Sequence, residues 1–310
     1  MIPLIPTGPP PEVHPKYIIR PHPIGAPKEF VELENGSKHA LDRNVWLRIF
    51  GFLTQSDLCL CMRVCRTWNR WAMDHRFWLK LDLSQQKLSQ FALVGIVRRQ
   101  PNFLDLSWTN ITFKQLLWLL NRLPRVQELC IQGATQATLS ALGQVSCPRI
   151  KVLDVRWSVG VVDSLLNEII SPPSPTEGRA NETKSRLSLL SEIRLAGCDV
   201  TGQTIRTLVR YCDYLSKVDF SYCPGVVDED VDFITSFNSP LSRKLTQVDF
   251  TGCPKLSDII LHFLKRCNGL RRVDLRGCKQ ISAEAVKDFA ESYHESSEIV
   301  EGKLVLIKRS

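Results

Sequence analysis

Chemistry in this chain is sought first among its histidines, cysteines and carboxylates. The six histidines (His14, His22, His39, His75, His262 and His294) are scattered. None stands in an HxD, HxE or HExxH arrangement that would hold a metal or a general base. No GxSxG elbow, P-loop or GxGxxG fingerprint occurs. The 11 cysteines are odd in number and form no CxxC pair, which predicts reduced thiols, not a disulfide framework. Cys198, Cys223, Cys253 and Cys278 nonetheless share one phase of a repeat. A small side chain that tolerates burial, and whose S–H meets a backbone carbonyl, suits such a phase. Zinc does not, because successive repeats would hold the sulfurs apart. The sequence therefore predicts no catalytic residue, no metal and no other cofactor, and it points to binding.

The elements that would position binding residues are repetitive. The clearest copies are Leu215-Ser-Lys-Val-Asp-Phe-Ser-Tyr-Cys223, Leu245-Thr-Gln-Val-Asp-Phe-Thr-Gly-Cys253 and Leu270-Arg-Arg-Val-Asp-Leu-Arg-Gly-Cys278. Weaker copies centre on Asp82, Asp105, Cys130, Asp154 and Arg194, with steps of 23, 25, 24, 40, 25, 30 and 25 residues along the series. This is the leucine-rich-repeat period. In LxxLxLxxC, alternate apolar residues enter the core from a short parallel strand. The following residues, such as Leu116, Leu117, Leu119 and Leu120, return as a helix, and stacked units bury jointly what one unit cannot. The fold class is α/β: a curved solenoid with strands on the concave face and helices on the convex face.

The middle residues of the strands are expected to point out from the sheet, and six of the eight are aspartate. Cations two positions away (Arg156, Lys217, Arg272, Arg276) would offset their repulsion. Asp219, Asp249 and Asp274 are thus candidate client contacts on a charge-patterned groove. Trp108 and Trp157, just after two strands, are better anchor candidates, since aromatics lead interface hot spots. The 40-residue step holds a polar, proline-rich insertion near 171–184, read as a surface loop, in which Ser171 and Ser174 precede prolines and are phosphorylation candidates.

Upstream of the repeats the texture differs. Residues 1–30 hold nine of the 18 prolines, a density that blocks helices and ladders, so 1–37 reads as a linker. From Val45 to Leu53, seven residues in nine are apolar, whereas one buried stripe needs only three or four per two turns. Thr54-Gln55-Ser56-Asp57 breaks the run and offers N-caps, and Leu58, Cys61, Met62, Cys65 and Trp68 follow at helical spacing. So short a segment cannot bury that much apolar surface alone. The surplus must face the next domain, another chain, or both.

The bulk numbers agree with a binding protein. With 310 residues, 44% of them hydrophobic, the chain has room for about two domains. No run of ~18 apolar residues would span a membrane, and Met1 to Pro27 lacks the pattern of a signal peptide. The net charge is +8, and residues 98–156, with eight Lys/Arg against three acids, supply +5 of it. Such an excess suits an acidic partner or an ordinary solvated face. No nucleic-acid motif accompanies it, so DNA binding is not expected.

Leu41-Asp-Arg-Asn-Val45, Ile49-Phe50, Leu53, Asp57-Leu58, Val64-Cys-Arg66, Trp68 and Phe77-Trp78 resemble an F-box across residues 41–78. The usual Leu-Pro at its start is Leu41-Asp42 here. The resemblance implies three helices over about 38–83 and contact with a Skp-family adaptor through Leu41, Val45, Ile49, Phe50, Leu53, Leu58, Val64 and Trp68, and through it a cullin-type ubiquitin ligase. A longer likeness covers roughly 38–295. Cys59–Trp71, Arg98-Arg-Gln-Pro101, Leu104–Asn110, Asn121-Arg-Leu-Pro124 and Arg194-Leu-Ala-Gly197 are similar to the C-terminal half of JmjC histone lysine demethylases that carry CXXC and PHD fingers, and to a sister F-box protein without the JmjC domain. That likeness implies a fragment or isoform of a longer protein, a nuclear location, and, for some members, a Polycomb-type assembly in place of a cullin ligase. The expected organisation is a proline-rich linker (1–37), the F-box (38–83), leucine-rich repeats (84–298) and a cap or tail (299–310). The expected function is an adaptor or scaffold that joins a Skp-family protein to a protein client. The alternatives are an accessory part of a histone demethylase and a nucleic-acid-binding repeat domain.

Overall fold

The computed structural model describes residues 42–144, 149–172 and 187–293, and the backbone of two short strands, 298–300 and 303–305. The proline-rich linker, Leu41 and most of the insertion after Ile170, Ser174 included, lie outside the described residues. Three helices come first: α1 (Arg43–Phe50), α2 (Gln55–Cys61) and α3 (Arg66–Ala72). A 3₁₀ turn, His75–Trp78, then leads into β1 (Lys80–Asp82).

From β1 onward strand and helix alternate. The strands are β2 (Phe103–Asp105), β3 (Glu128–Cys130), β4 (Val152–Asp154), β5 (Glu192–Arg194), β6 (Lys217–Asp219), β7 (Gln247–Asp249) and β8 (Arg272–Asp274). The helices between them are α4 (Gln90–Arg99), α5 (Phe113–Leu120), α6 (Gln136–Leu139), α7 (Asp163–Ile170), α8 (Gly202–Tyr211), α9 (Asp228–Thr235) and α10 (Ile259–Leu264), and α11 (Ala283–Tyr293) follows β8. β1 to β8 pair in chain order and in parallel; β9 (Glu298–Val300) and β10 (Lys303–Val305) close the far edge, with β10 antiparallel to β8. This is an α/β solenoid, and its eight parallel strands stand where the eight sequence repeats place them.

The register makes each repeat position a column. Leu81, Leu104, Leu129, Leu153, Ile193, Val218, Val248 and Val273 pair side by side and are all buried. Three residues beyond each strand the backbone is left-handed in every repeat: Gln85, Trp108, Gly133, Trp157, Gly197, Tyr222, Gly252 and Gly277 all have positive φ. One residue later, Cys198, Cys223, Cys253 and Cys278 donate to carbonyls of the preceding repeat (Val155, Leu195, Phe220 and Phe250) at 3.1–3.5 Å. Burial pushes these thiols up, Cys198 to about 11 and Cys253 to about 12. They are thereby held as the protonated S–H donors that these carbonyl contacts need.

The helix side has its own inter-repeat clamp. The Asp163 carboxylate accepts from the N–H and hydroxyl of Thr201 (3.0 and 2.7 Å) and of Thr204 (3.2 and 2.5 Å). Asp228 with Ser257 and Asp258 with Ser282 repeat the motif. Burial pushes the Asp163 carboxyl up, but these donors outweigh it and hold it below the ordinary 3.8. Its contribution is therefore complete above the unfolded value and is lost as pH falls through the lower folded value. Asp163→Ala is expected to cost about 2 kcal/mol, the worth of hydrogen bonds to a charged group, read as a lower urea midpoint at pH 7. The wild-type and variant midpoints should converge on acidification; a constant gap down to pH 2 would refute the clamp.

Candidate functional site

The helical unit sorts its apolar residues by face. Asp42 caps α1, its carboxylate accepting from the Asn44 N–H at 2.8 Å, so a side-chain cap starts the helix where the family pattern has proline. Thr54 and Asp57 form a capping box at α2. Inward, Trp46, Phe50, Trp68 and Phe77 form an aromatic cluster, with Trp46 4.5 Å and Phe50 5.5 Å from Trp68 and Phe50 6.5 Å from Phe77 between ring centroids. Asp74 ties the ends together through Arg43 (2.7 Å) and Arg76 (2.9 Å). Burial raises its pKa, yet the hydrogen bonds and charge of Arg76, with Arg43, hold it below 3.8. The clasp is thus intact above the unfolded carboxylate range and releases only as pH falls through the lower folded value.

Two of the residues assigned to the adaptor face are core. Phe50 and Leu58 are each only 1% exposed. The α1 stripe at 46, 47 and 50 is its inner face, and an apolar run on both sides of a helix hides which side that is. Val45, Leu53 and Trp68 are half-buried, whereas Ile49 (42%) and Val64 (65%) are exposed. The sequence reading missed Phe52, 92% exposed in the turn after α1, and Leu60, 58% exposed on α2. Their signal was present: Phe52 lies three residues from Ile49, and Leu60 two from the buried Leu58.

The helical unit is joined to the solenoid. The Gln55 side-chain amide donates to the Lys80 carbonyl of β1 at 2.5 Å, and the Asn102 N–H to the Leu79 carbonyl at 2.9 Å. Trp78 is buried, donates to the Ala72 carbonyl at 2.7 Å, and lies 4.0 Å beneath the Arg99 guanidinium. Arg99 is therefore packing, not basic surface. Arg122 likewise lies over Trp118 at 4.6 Å, and Arg156 pairs with Asp154 at 2.8 Å. The basic excess of residues 98–156 is smaller at the surface than in the sequence.

On the strand face the expected row of outward aspartates needs correction. In all six, Asp82, Asp105, Asp154, Asp219, Asp249 and Asp274, the carboxylate accepts the N–H two residues on, at 2.8–3.2 Å. The aspartates shape the turn out of the strand. Asp154 and Asp274 are fully buried beneath Arg156 and Arg276, and Arg194 reaches Asp154 as well, at 3.3 Å. Asp219 and Asp249 stay half-buried, bridged by Ser221, whose backbone N–H donates to Asp219 at 3.0 Å and whose hydroxyl donates to Asp249 at 2.7 Å. Burial pushes the Asp219 carboxyl up despite its bonds to Ser221.

Trp108 and Trp157 are half-exposed, as is Tyr222, which the sequence reading did not single out. All three are left-handed, with φ of 56–57°. Such a backbone costs a bulky residue of order 1–3 kcal/mol and persists only where the surroundings enforce it. The enforcement alternates with glycine. The Trp108 ring lies over Gly133, Trp157 over Gly197 and Tyr222 over Gly252, and a Cβ on any of these glycines would overlap the ring above it. Trp157 and Tyr222 meet at 5.5 Å between ring centroids. The result is an aromatic shelf along the strand-exit rim. Among the described residues no cluster of His, Cys, Asp and Glu could hold a metal, and no helix is long and apolar enough to cross a membrane.

These features define an F-box followed by a leucine-rich-repeat solenoid. A family model, F-box-like, matches residues 43–84. The chain is homologous to the F-box and leucine-rich-repeat region of lysine-specific demethylases 2A and 2B. It is 39% identical to lysine-specific demethylase 2B of Mus musculus over 295 residues, 93% of this chain and 22% of that protein. It is 41% identical to lysine-specific demethylase 2A of Xenopus tropicalis over 251 residues, 81% of this chain and 22% of that protein. The chain thus spans about a fifth of the length of these curated relatives. Among solved structures, a leucine-rich-repeat-containing protein of Legionella pneumophila, LegL7, overlaps 84% of this chain and 88% of its own at 11% identity, with a TM-score of 0.44. The solenoid assignment rests on the repeat register itself, not on that overlap.

Proposed function

We propose that this chain is a non-catalytic adaptor that binds a Skp-family protein through its F-box and a protein client or chromatin complex through its repeats. The observation that carries this reading is the exposed apolar set Ile49, Phe52, Leu60 and Val64, on α1, α2 and the turns that follow them, in a unit whose inner faces are already packed. Exposed apolar residues grouped on a small unit mark a protein-binding site. The F-box match implies the class of partner. Two outcomes fit it: membership of a cullin-type ubiquitin ligase, or of a Polycomb-type assembly in the nucleus. Trp108 and Trp157, with Asp219 and Asp249, are the client contacts of this reading; Asp274 is removed from it by burial.

A second reading is supported by the relatives' names. A region of this kind occurs within lysine-specific demethylases, so it can serve as an accessory to catalysis carried elsewhere in a longer polypeptide. The nucleic-acid reading loses ground, because Arg99, Arg122 and Arg156 are engaged within the fold. The test of the main proposal is affinity purification of the full chain, with mass spectrometry for the adaptor, against the Phe52→Asp/Leu60→Asp variant. Client capture is read in parallel with Trp157→Ala. Enrichment of no Skp-family protein by the wild-type chain would overturn it.

A further inference from the structure

The helical unit carries its charge unevenly. Residues 42–78 contain six arginines and three aspartates, and neither lysine nor glutamate. All three aspartates are used locally. Asp42 caps α1, Asp57 closes the capping box of α2, and Asp74 holds Arg43 and Arg76. Arg48, Arg63, Arg66 and Arg70 are left over. All four are exposed, and among the described residues none makes an ion pair or a side-chain hydrogen bond. The end of α4, which meets α2, brings no carboxylate to them. Its Arg98 is exposed, and the Arg99 guanidinium reaches only sulfur there, Cys59 and Met62 at 3.9 Å.

In the free chain this arrangement is unfavourable. Arg66 and Arg70 stand four residues apart on α3, where like charges destabilise a helix, and nothing in the fold offsets them. The leftover arginines also border the exposed apolar set. Arg48 precedes Ile49, and Arg63 and Arg66 bracket Val64 in the passage from α2 to α3. An apolar patch edged by unpaired cations fits a surface of the inverse pattern, an apolar seat with carboxylates at its rim. A nucleic acid would answer the cations but leave Leu60 and Val64 facing water. Charge arranged in this way sets the choice of partner and the rate of encounter more than the final affinity. We propose that Arg48, Arg63 and Arg66 are specificity-determining residues of this face, and that the adaptor's apolar seat is edged by aspartate or glutamate side chains that pair with them. The inference rests on the adaptor reading above and adds the chemistry of the partner's rim.

The test uses the full chain and the Skp-family adaptor that co-purifies with it. Association and dissociation are followed at about 0.1 M and about 1 M salt, between which the screening length falls from ~10 Å to ~3 Å. The Arg63→Gln/Arg66→Gln variant is expected to associate about tenfold more slowly than wild type at the lower salt and to converge on it at the higher. Arg63→Glu/Arg66→Glu, which sets like charges against each other, should lose at least about a hundredfold in affinity at the lower salt. Lys255→Gln/Lys279→Gln removes the same charge from exposed positions at the far end of the solenoid and should match wild type, which separates a local contact from net charge. The melting temperature of the glutamine variant should be unchanged or raised, because a repulsion is removed; a fall would assign the arginines to the fold and overturn the proposal. Wild-type association by that variant at both salts would overturn it while leaving the adaptor reading intact. So would equal slowing by the lysine control, or loss of binding to a duplex DNA probe with adaptor binding unchanged. A wild-type chain with which no Skp-family protein co-purifies would overturn the adaptor reading itself, and this inference with it.

Discussion

Phe52→Asp combined with Leu60→Asp is expected to abolish capture of a Skp-family adaptor while leaving the chain folded. Both side chains face solvent in the free chain, and substitutions at such positions usually shift stability by no more than about 0.5 kcal/mol. In a complex each aspartate would meet an apolar partner surface without a counter-charge, a loss of several kcal/mol. At ~1.4 kcal/mol per tenfold, that is at least a hundredfold in affinity. Ile49→Asp should act in the same direction. Phe50→Asp and Leu58→Asp should also abolish binding, but by a different route: both side chains are core, and truncation alone there costs about 2–5 kcal/mol. The two routes separate in a thermal melt, which should be unchanged for the surface pair and shifted down for the core pair. Full adaptor binding by the surface pair, with an unchanged melt, would withdraw the assignment of this face.

The split between Phe50 and Phe52 also shows what the sequence could and could not reveal. The repeats were legible because one strand position fixes all the others: the apolar column from Leu81 to Val273 and the cysteine phase at 198, 223, 253 and 278 read directly as registers. The F-box was legible as a dense pattern, but its faces were not. Seven apolar residues in nine satisfy both sides of a helix, and only the packing of α1 on α3 through Trp46, Phe50 and Trp68 selects the inner one. The aspartate column misled for a related reason. Period-two alternation correctly sets Asp154 and Asp274 opposite the core, and Arg156 and Arg276 pair with them as the spacing suggests, but it cannot tell that the pairing buries both carboxylates. The aromatic and glycine alternation is written in the sequence as Trp108, Gly133, Trp157, Gly197, Tyr222 and Gly252. Its meaning appears only when each ring is seen lying across the next repeat's glycine.

Gly197→Ala is expected to destabilise the chain by more than Gly277→Ala, although the two glycines share a repeat position and nearly the same backbone, with φ of +72° and +76°. A left-handed alanine costs about 1–2 kcal/mol at either site. At Gly277 little else follows, because the nearest atoms to a new Cβ belong to Gly252 at 3.6 Å, an ordinary contact. At Gly197 the Cβ would overlap the six-membered ring of Trp157, and the indole would have to leave its seat. Such overpacking typically adds a further ~1–3 kcal/mol. The displaced ring also loses its contact with Tyr222, so the shelf breaks at its centre. Removing the indole first should remove the extra cost: in a Trp157→Ala background, Gly197→Ala should fall back to the Gly277→Ala value. The difference between the two backgrounds is then the coupling energy of ring and glycine. Urea unfolding of the four proteins at pH 7, with Gly277→Ala alongside, supplies every term. Equal losses at Gly197 and Gly277 in the wild-type background would mean that Trp157 is not seated on Gly197, and the shelf would have to be given up.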